Sequence, residues 1–235
     1  MTNQDDFIST VSHEMRTPLT SIRGFAQTML SSWDMLDDTS KKKFLEIIEE
    51  QSNRLIHLVE NILSVTKIPE ETLILKKTSV NSAILTVLQI IKQKYNNYKF
   101  ELNLSKTNPE IYADSEKLQQ ILINLIENAC KYSEPDSIVK ISSSSDNDFV
   151  HIYIQDEGCG IDEKYAEKIF EKFSRIDNPL TRKTQGSGLG LFITKSLTEK
   201  MNGKISFKNL DKGTVFELKF PQYNIEDHAK CSVTH

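Results

Sequence analysis

The chain has 235 residues, 38% of them apolar and 26% charged, and 29 Lys and Arg against 33 Asp and Glu leave a formal charge of −4. That apolar content can offset the entropy of ordering a core, which excludes a collagen-like, low-complexity or disordered acidic chain. The lack of a basic excess argues against a nucleic-acid partner, because duplex binding draws on clustered Lys and Arg.

From Phe7, apolar residues at Val11, Met15, Ile22, Phe25 and Met29 predict a first long helix. The stretch Ser31 to Ser40 interrupts it, and Asp37, Asp38, Thr39 and Ser40 are N-cap candidates just before Lys41. Next, Phe44, Ile48, Leu55, Leu58, Ile62 and Val65, with Gln51 filling one step, alternate four- and three-residue steps as a heptad seam does. Two helices alone cannot enclose a core. The expected unit is therefore an antiparallel helical hairpin that pairs with a second copy as a dimeric four-helix bundle. Pro69 disfavours helix in the residue before it, which predicts a hairpin over 1–68, a linker over 69–71, a second domain over 72–221 and a loose tail over 222–235.

In the second domain, patterning predicts helices over 80–94, 115–132 and 190–201 and strands over 99–104, 137–143, 149–155, 204–208 and 214–220. Mixed helices and strands of this kind make a two-layer α/β sandwich, so the fold class expected overall is α + α/β. No apolar run reaches the ~18 residues of a membrane span, and Met1 to Asp6 is not a basic leader. Cys130, Cys159 and Cys231 show neither disulfide pairing nor zinc spacing, which fits a reducing, cytoplasmic compartment.

Four clusters carry chemistry. In His13-Glu14-Met15-Arg16-Thr17-Pro18, a helix-interior proline removes a backbone hydrogen bond just beyond the histidine, at ~3 kcal/mol. Glu14 can take the Nδ1 proton and leave Nε2 nucleophilic, and Thr17 shares the face of His13. Asn124, Asn128 and Lys131 line one helical stripe, while Ile121, Leu122 and Leu125 turn toward a core. The stripe is either a solvated face or a polyphosphate site, with amide oxygen for Mg²⁺ and an amine for phosphate. Asp156-Glu157-Gly158-Cys159-Gly160-Ile161 follows a strand; it serves as a plain turn or places a carboxylate to accept from an exocyclic amine such as that of adenine. Gly186-Ser187-Gly188-Leu189-Gly190-Leu191 opens a helix, whose free amides suit phosphate; it is neither a P-loop nor a Rossmann turn. Ser174 to Gln185 before it reads as a lid.

In this order the segments closely resemble the transmitter core of the sensor histidine kinases of two-component systems. FISTVSHEMRTPLTSI is similar to the phosphoacceptor box, LINLIENACKYS to the asparagine box, DEGCGI and GSGLGL to the two glycine boxes and FEKFSRID to the phenylalanine box; ADSEKLQQIL and GTVFELKFP also resemble family segments. The resemblance runs from about Asp6 to Pro221. It implies a dimerisation and phosphotransfer hairpin followed by a Bergerat-type ATP-binding domain, with ATP and Mg²⁺ as cofactors.

By position, the resemblance makes His13 the phosphoacceptor, Glu14 its acid/base partner and Thr17 the residue that orients water for dephosphorylation. Asn128 would hold the metal, with Asn124, Lys131 and Tyr132 near the phosphates. Asp156 would read adenine, with Gly158, Gly160 and Ile161 shaping the pocket. Gly186, Ser187, Gly188, Leu189, Gly190 and Leu191 would form the closing turn, and Phe170 and Phe173 would dock the lid. Arg175 would contact the γ-phosphate, with Arg182 second. The implied partners are a second copy of the chain and a response regulator receiver domain. A sensor region, often with a membrane span, precedes this core in the family. With only 12 residues before His13, the chain is expected to be the catalytic part of a longer protein. His57, His151, His228 and His235 match no motif, and Cys159 reads as a spacer. The rival readings are an ATPase using the same pocket for conformational work and a silent dimeric scaffold.

Overall fold

The computed structural model describes residues 3–174 and 187–223. The chain separates into two compact units, Met1–Pro69 and Glu70–His235.

The first unit is a hairpin of helices α1 (Asn3–Ser32) and α2 (Asp38–Lys67). Both helices are longer than the periodicity suggested, because α1 runs four residues upstream of Phe7 and α2 starts before Ser40. Of the four capping candidates, Asp37 does the work. It holds an extended backbone at φ −71° and ψ 162°, and its Oδ1 accepts from the Ser40 amide at 2.6 Å. Phe25 and Phe44 meet across the hairpin with centroids 5.1 Å apart. Met29, Leu58, Val65 and Ile68 are buried, but Leu30 and Met35 remain over 80% exposed and Ile8, Leu19, Leu45, Ile56 and Leu63 about half exposed. A second apolar face thus stays uncovered within one chain.

The second unit has a five-stranded sheet and a smaller two-stranded one. The strands are β1 (Lys76–Ser79), β2 (Lys99–Asn103), β3 (Glu110–Ala113), β4 (Ile138–Ser145), β5 (Phe149–Gln155), β6 (Lys204–Asn209) and β7 (Thr214–Pro221). The large sheet runs β2-β4-β5-β7-β6, with β2 parallel to β4 and the other pairs antiparallel. Helices α3 (Val80–Lys94), α4 (Ser115–Lys131) and α5 (Gly190–Lys200) make the second layer. Strand β5 shows why only one face is covered: Val150, Ile152 and Ile154 are buried, while His151, Tyr153 and Gln155 on the other face are half-buried. On α4, Leu118, Ile121, Leu122, Leu125 and Ile126 are at most 1% exposed, and burying each such side chain contributes about 2 kcal/mol.

The helices and strands predicted for the second domain are all present, with ends moved by at most two residues. Strands β1 and β3 are additional. They pair antiparallel as Lys76↔Ala113 through Ser79↔Glu110, and at four residues each they are too short to show a two-residue period. Asp114 fixes the start of α4, its Oδ1 accepting from the amides of Glu116 and Lys117 at 3.1 and 3.2 Å. Its Oδ2 accepts from Ile74 at 3.0 Å, so one carboxylate caps the helix and ties down the segment after the hairpin. No helix among the described residues is long and apolar enough to cross a membrane.

Candidate functional site

Helix α1 continues through Pro18, whose side chain is buried. Proline has no N–H to give the carbonyl four residues earlier, so the missing helical bond is the one that would end on Glu14. His13 and Thr17 are exposed one turn apart, and Thr17 Oγ1 donates to the His13 carbonyl at 3.4 Å. Glu14 pairs across the hairpin. Its Oε2 lies 3.7 Å from the Arg54 guanidinium of α2, with the side chains 17% and 24% exposed. Arg54 belongs to no motif, and the sequence reading passed over it.

The second unit assembles the other segments around α4 and the end of β5. Asn124 Nδ2 donates to Thr194 Oγ1 on α5 at 2.7 Å, and a Cβ on Gly190 would collide with the Asn124 amide. Gly190 therefore lets α5 approach α4 closely. Asn128, one turn on, is half-buried. Lys131 lies 3.6 Å from Glu127, which also holds Lys94 at 2.7 Å. Tyr132 closes the helix and is 43% exposed.

Asp156 is 6% exposed at the end of β5. Its Oδ1 accepts from the Gly158 amide at 2.8 Å and the Thr214 amide at 3.1 Å. Burial pushes its pKa above the ordinary carboxylate value, and the two amide bonds pull against that rise. A Cβ on Gly158 would come within 2.5 Å of the Tyr132 carbonyl, so this turn lies directly against the end of α4. Asparagine stripe and carboxylate are thereby neighbours. Gly160 has a φ of +74°, and the next residue is clamped by Asn209, whose Oδ1 accepts from Ile161 N–H at 2.9 Å while its Nδ2 donates to the Ile161 carbonyl. Asn209, Gly213 and Thr214 are not among the expected site residues; Gly213 and Thr214 fall in the family-like segment GTVFELKFP, and Asn209 lies just before it.

At the second glycine turn, Gly188 has a φ of +67°, and a Cβ there would meet the Phe173 backbone at 2.8 Å. Phe173 itself has a φ of +60°. Phe170 sits 6.5 Å from Phe207 between ring centroids, with Lys195 Nζ 5.7 Å from its ring centre. Ser187 Oγ accepts from the Leu189 amide at 3.3 Å. Leu189, expected among the nucleotide contacts, has a fully buried side chain and packs in the core, which leaves only its backbone for a ligand. Leu191 is half-buried in the first turn of α5. Arg175, Arg182 and Gly186, most of the expected lid, His228, His235 and Cys231 lie outside the described residues.

The described cysteines and the other described histidines were given no role at the expected site. Cys159 is exposed, whereas Cys130 is buried and its thiol is pushed up to about 12 by burial, with Glu127 adding to the rise. His57 pairs with Glu60 at 3.3 Å. His151 lies between Asp146 Oδ2 at 3.1 Å and Glu217 Oε1 at 2.8 Å.

Family comparisons place these clusters. Residues 3–71 match the His Kinase A (phospho-acceptor) domain, and residues 113–224 match the histidine kinase-, DNA gyrase B- and HSP90-like ATPase family. The sensor protein SrrB of Staphylococcus aureus is 34% identical over 223 residues, covering 92% of this chain. The chain spans 38% of the length of that relative. Among solved structures, the histidine kinase ThkA in complex with the response regulator protein TrrA aligns with a TM-score of 0.75 at 27% identity, over 93% of this chain and 61% of that one. Acinetobacter baumannii histidine kinase AdeS aligns at 0.70 and 26%, over 90% and 98%. A nucleotide-free catalytic domain of ThkA aligns at 0.57 and 30%, over 63% of this chain and 95% of that domain. With its phosphoacceptor hairpin and its ATPase-type domain in this order, the chain belongs to the sensor histidine kinases of two-component systems, as their transmitter core.

Proposed function

We propose that the chain is an ATP-dependent protein-histidine kinase that phosphorylates its own His13 and passes the phosphoryl group to an aspartate of a response regulator. The observation that carries this reading is a pair of unlike sites in one chain. An exposed histidine sits on a helix turn that Pro18 has untied, and a buried carboxylate held by two amides adjoins a stripe of asparagines.

The adenine amine would donate to Asp156, whose desolvation makes an unmet acceptor expensive and so favours a ligand that supplies the donor. Asn124, Asn128, Lys131 and Tyr132 would face the phosphates, together with the amides at the start of α5. Among the described residues no three His, Cys, Asp or Glu side chains converge as a metal cage. The donor set suits Mg²⁺ held by the Asn128 amide oxygen and the substrate phosphates, where the ion, when bound, would neutralise developing phosphate charge. Nε2 of His13 would attack the γ-phosphorus in line, the bond to ADP would break, and Glu14 would take the Nδ1 proton. Arg175 would steady the γ-phosphate, with Arg182 in reserve. The labile P–N bond suits onward transfer to a regulator aspartate, and Thr17 would orient the water in the reverse, phosphatase duty.

The half-exposed apolar residues of the hairpin support a homodimer, because a second copy is the economical cover for that face. The comparison with the ThkA complex supports a receiver domain as the other partner. Reading the site as a plain ATPase would leave His13 and Glu14 without a role.

The test is incubation with γ-labelled ATP and Mg²⁺, followed by addition of a receiver domain. Acid-labile, alkali-stable label on the chain that then moves to the receiver is the expected result. ATP turnover without label on protein would replace the kinase reading with the ATPase one.

A further inference from the structure

Arg54 stands on α2, opposite the turn that carries the phosphoacceptor candidate, and nothing in the sequence marks it. We infer that Arg54 is a positioning residue that fixes the Glu14 carboxylate for its work on His13, an inference resting on the proposal that His13 is the phosphoacceptor. Three observations converge. The Glu14 and Arg54 side chains are 17% and 24% exposed and lie 3.7 Å apart, so their pairing is less screened than a surface ion pair. Pro18 withholds the helical bond that would end on the Glu14 carbonyl, so the backbone restrains this residue less than its neighbours. A tether from the opposite helix supplies the orientation that the backbone does not.

The contact also suits the chemistry. A carboxylate accepts at both oxygens, so its pairing with Arg54 does not in itself bar it from taking the His13 Nδ1 proton. In the step itself, the Nε2–P bond forms and the P–O bond to ADP breaks, the electron pair leaving with ADP. The imidazole then carries a positive charge until its Nδ1 proton passes to Glu14. A guanidinium holds one geometry where an ammonium swings, which explains an arginine here. The other charged or titratable side chains within a turn of this level are His13 and Arg16 on α1 and Glu50 and His57 on α2.

The experiment measures autophosphorylation of the full chain from about pH 6 to about pH 9, the range that spans imidazole titration, in wild type, Arg54→Ala, Arg54→Lys, Glu14→Gln and the Ala/Gln double variant. Arg54→Ala is expected to slow labelling by about tenfold or more, to take on the pH profile of Glu14→Gln, and to add nothing in the double variant. Arg54→Lys is expected to recover part of the rate. If the alanine variant unfolds, Arg54→Met, which keeps the aliphatic stem, takes its place. A wild-type rate and pH profile in Arg54→Ala, or effects that multiply in the double variant, would overturn the role of Arg54 alone. Absence of acid-labile label in wild type would overturn the His13 reading and this inference together.

Discussion

The two units solve opposite problems. In the hairpin His13, the proposed phosphoacceptor, is exposed, its helix carries a proline one turn on, and much apolar surface is left uncovered. In the second unit the key carboxylate is buried, every turn around it is fixed by a glycine contact or an amide bond, and α4 lies on a tightly packed core. A group that must be reached by a nucleotide and then by another protein needs exposure and give. A pocket that reads a base needs a rigid, desolvated acceptor. On the proposed function, each requirement is met in a separate unit.

That contrast can be broken most severely at the two key residues. His13→Ala is expected to abolish protein labelling while leaving nucleotide binding and melting temperature unchanged, because the side chain is exposed. Calorimetric titration with ATP alongside the labelling assay checks both halves. Asp156→Asn is expected to weaken nucleotide binding by about 10- to 100-fold, since an amide can still receive the Gly158 and Thr214 bonds through its oxygen but turns a donor toward the adenine amine.

Stability should divide the same way. Leu125→Ala, at 1% exposure on α4, is expected to destabilise the second unit by about 3 kcal/mol in urea unfolding. Pro18→Ala is expected to act in the opposite direction on the hairpin, restoring the bond to the Glu14 carbonyl and raising stability by about 1–3 kcal/mol while slowing labelling. A proline variant that gains stability with full activity would remove the case for a functional role of Pro18.

The smallest effect is acid sensitivity on the open face of the large sheet. Backbone bonds from Asp148 and Phe149, with help from His151, hold the Asp146 carboxyl down at about 2 against an ordinary 3.8. On Glu217, burial pushes upward but is outweighed by hydrogen bonds led by that from His151, leaving its carboxyl below the ordinary value. A carboxyl whose pKa is depressed by folding stabilises the fold above its unfolded value and loses that contribution as pH falls through the folded one. Melting of the second unit should therefore drop between pH 4 and 2, and less so in Asp146→Asn.

How much of this was readable beforehand follows from range. Local patterns carried the helices: the apolar steps of α3 and α4 and the heptads of α2 are signals within a few residues. Glycines at 158, 160, 188 and 190 were visible as turns, yet what each makes room for, such as Asn124 at Gly190, Tyr132 at Gly158 or Phe173 at Gly188, depends on residues 15 to 66 positions away. Arg54 and Asn209 were invisible for the same reason, since each acts on a group brought to it only by the tertiary fold. Leu189 shows the same limit, since its motif pointed to ligand contact and only the fold shows that its side chain is buried.

The most direct test is to locate the phosphoryl group after brief labelling, by peptide mapping kept at neutral to alkaline pH so that a phosphoramidate survives. The account predicts one modified residue, His13, with phosphorus on Nε2. Phosphate on any serine, aspartate or other histidine of the chain would contradict it.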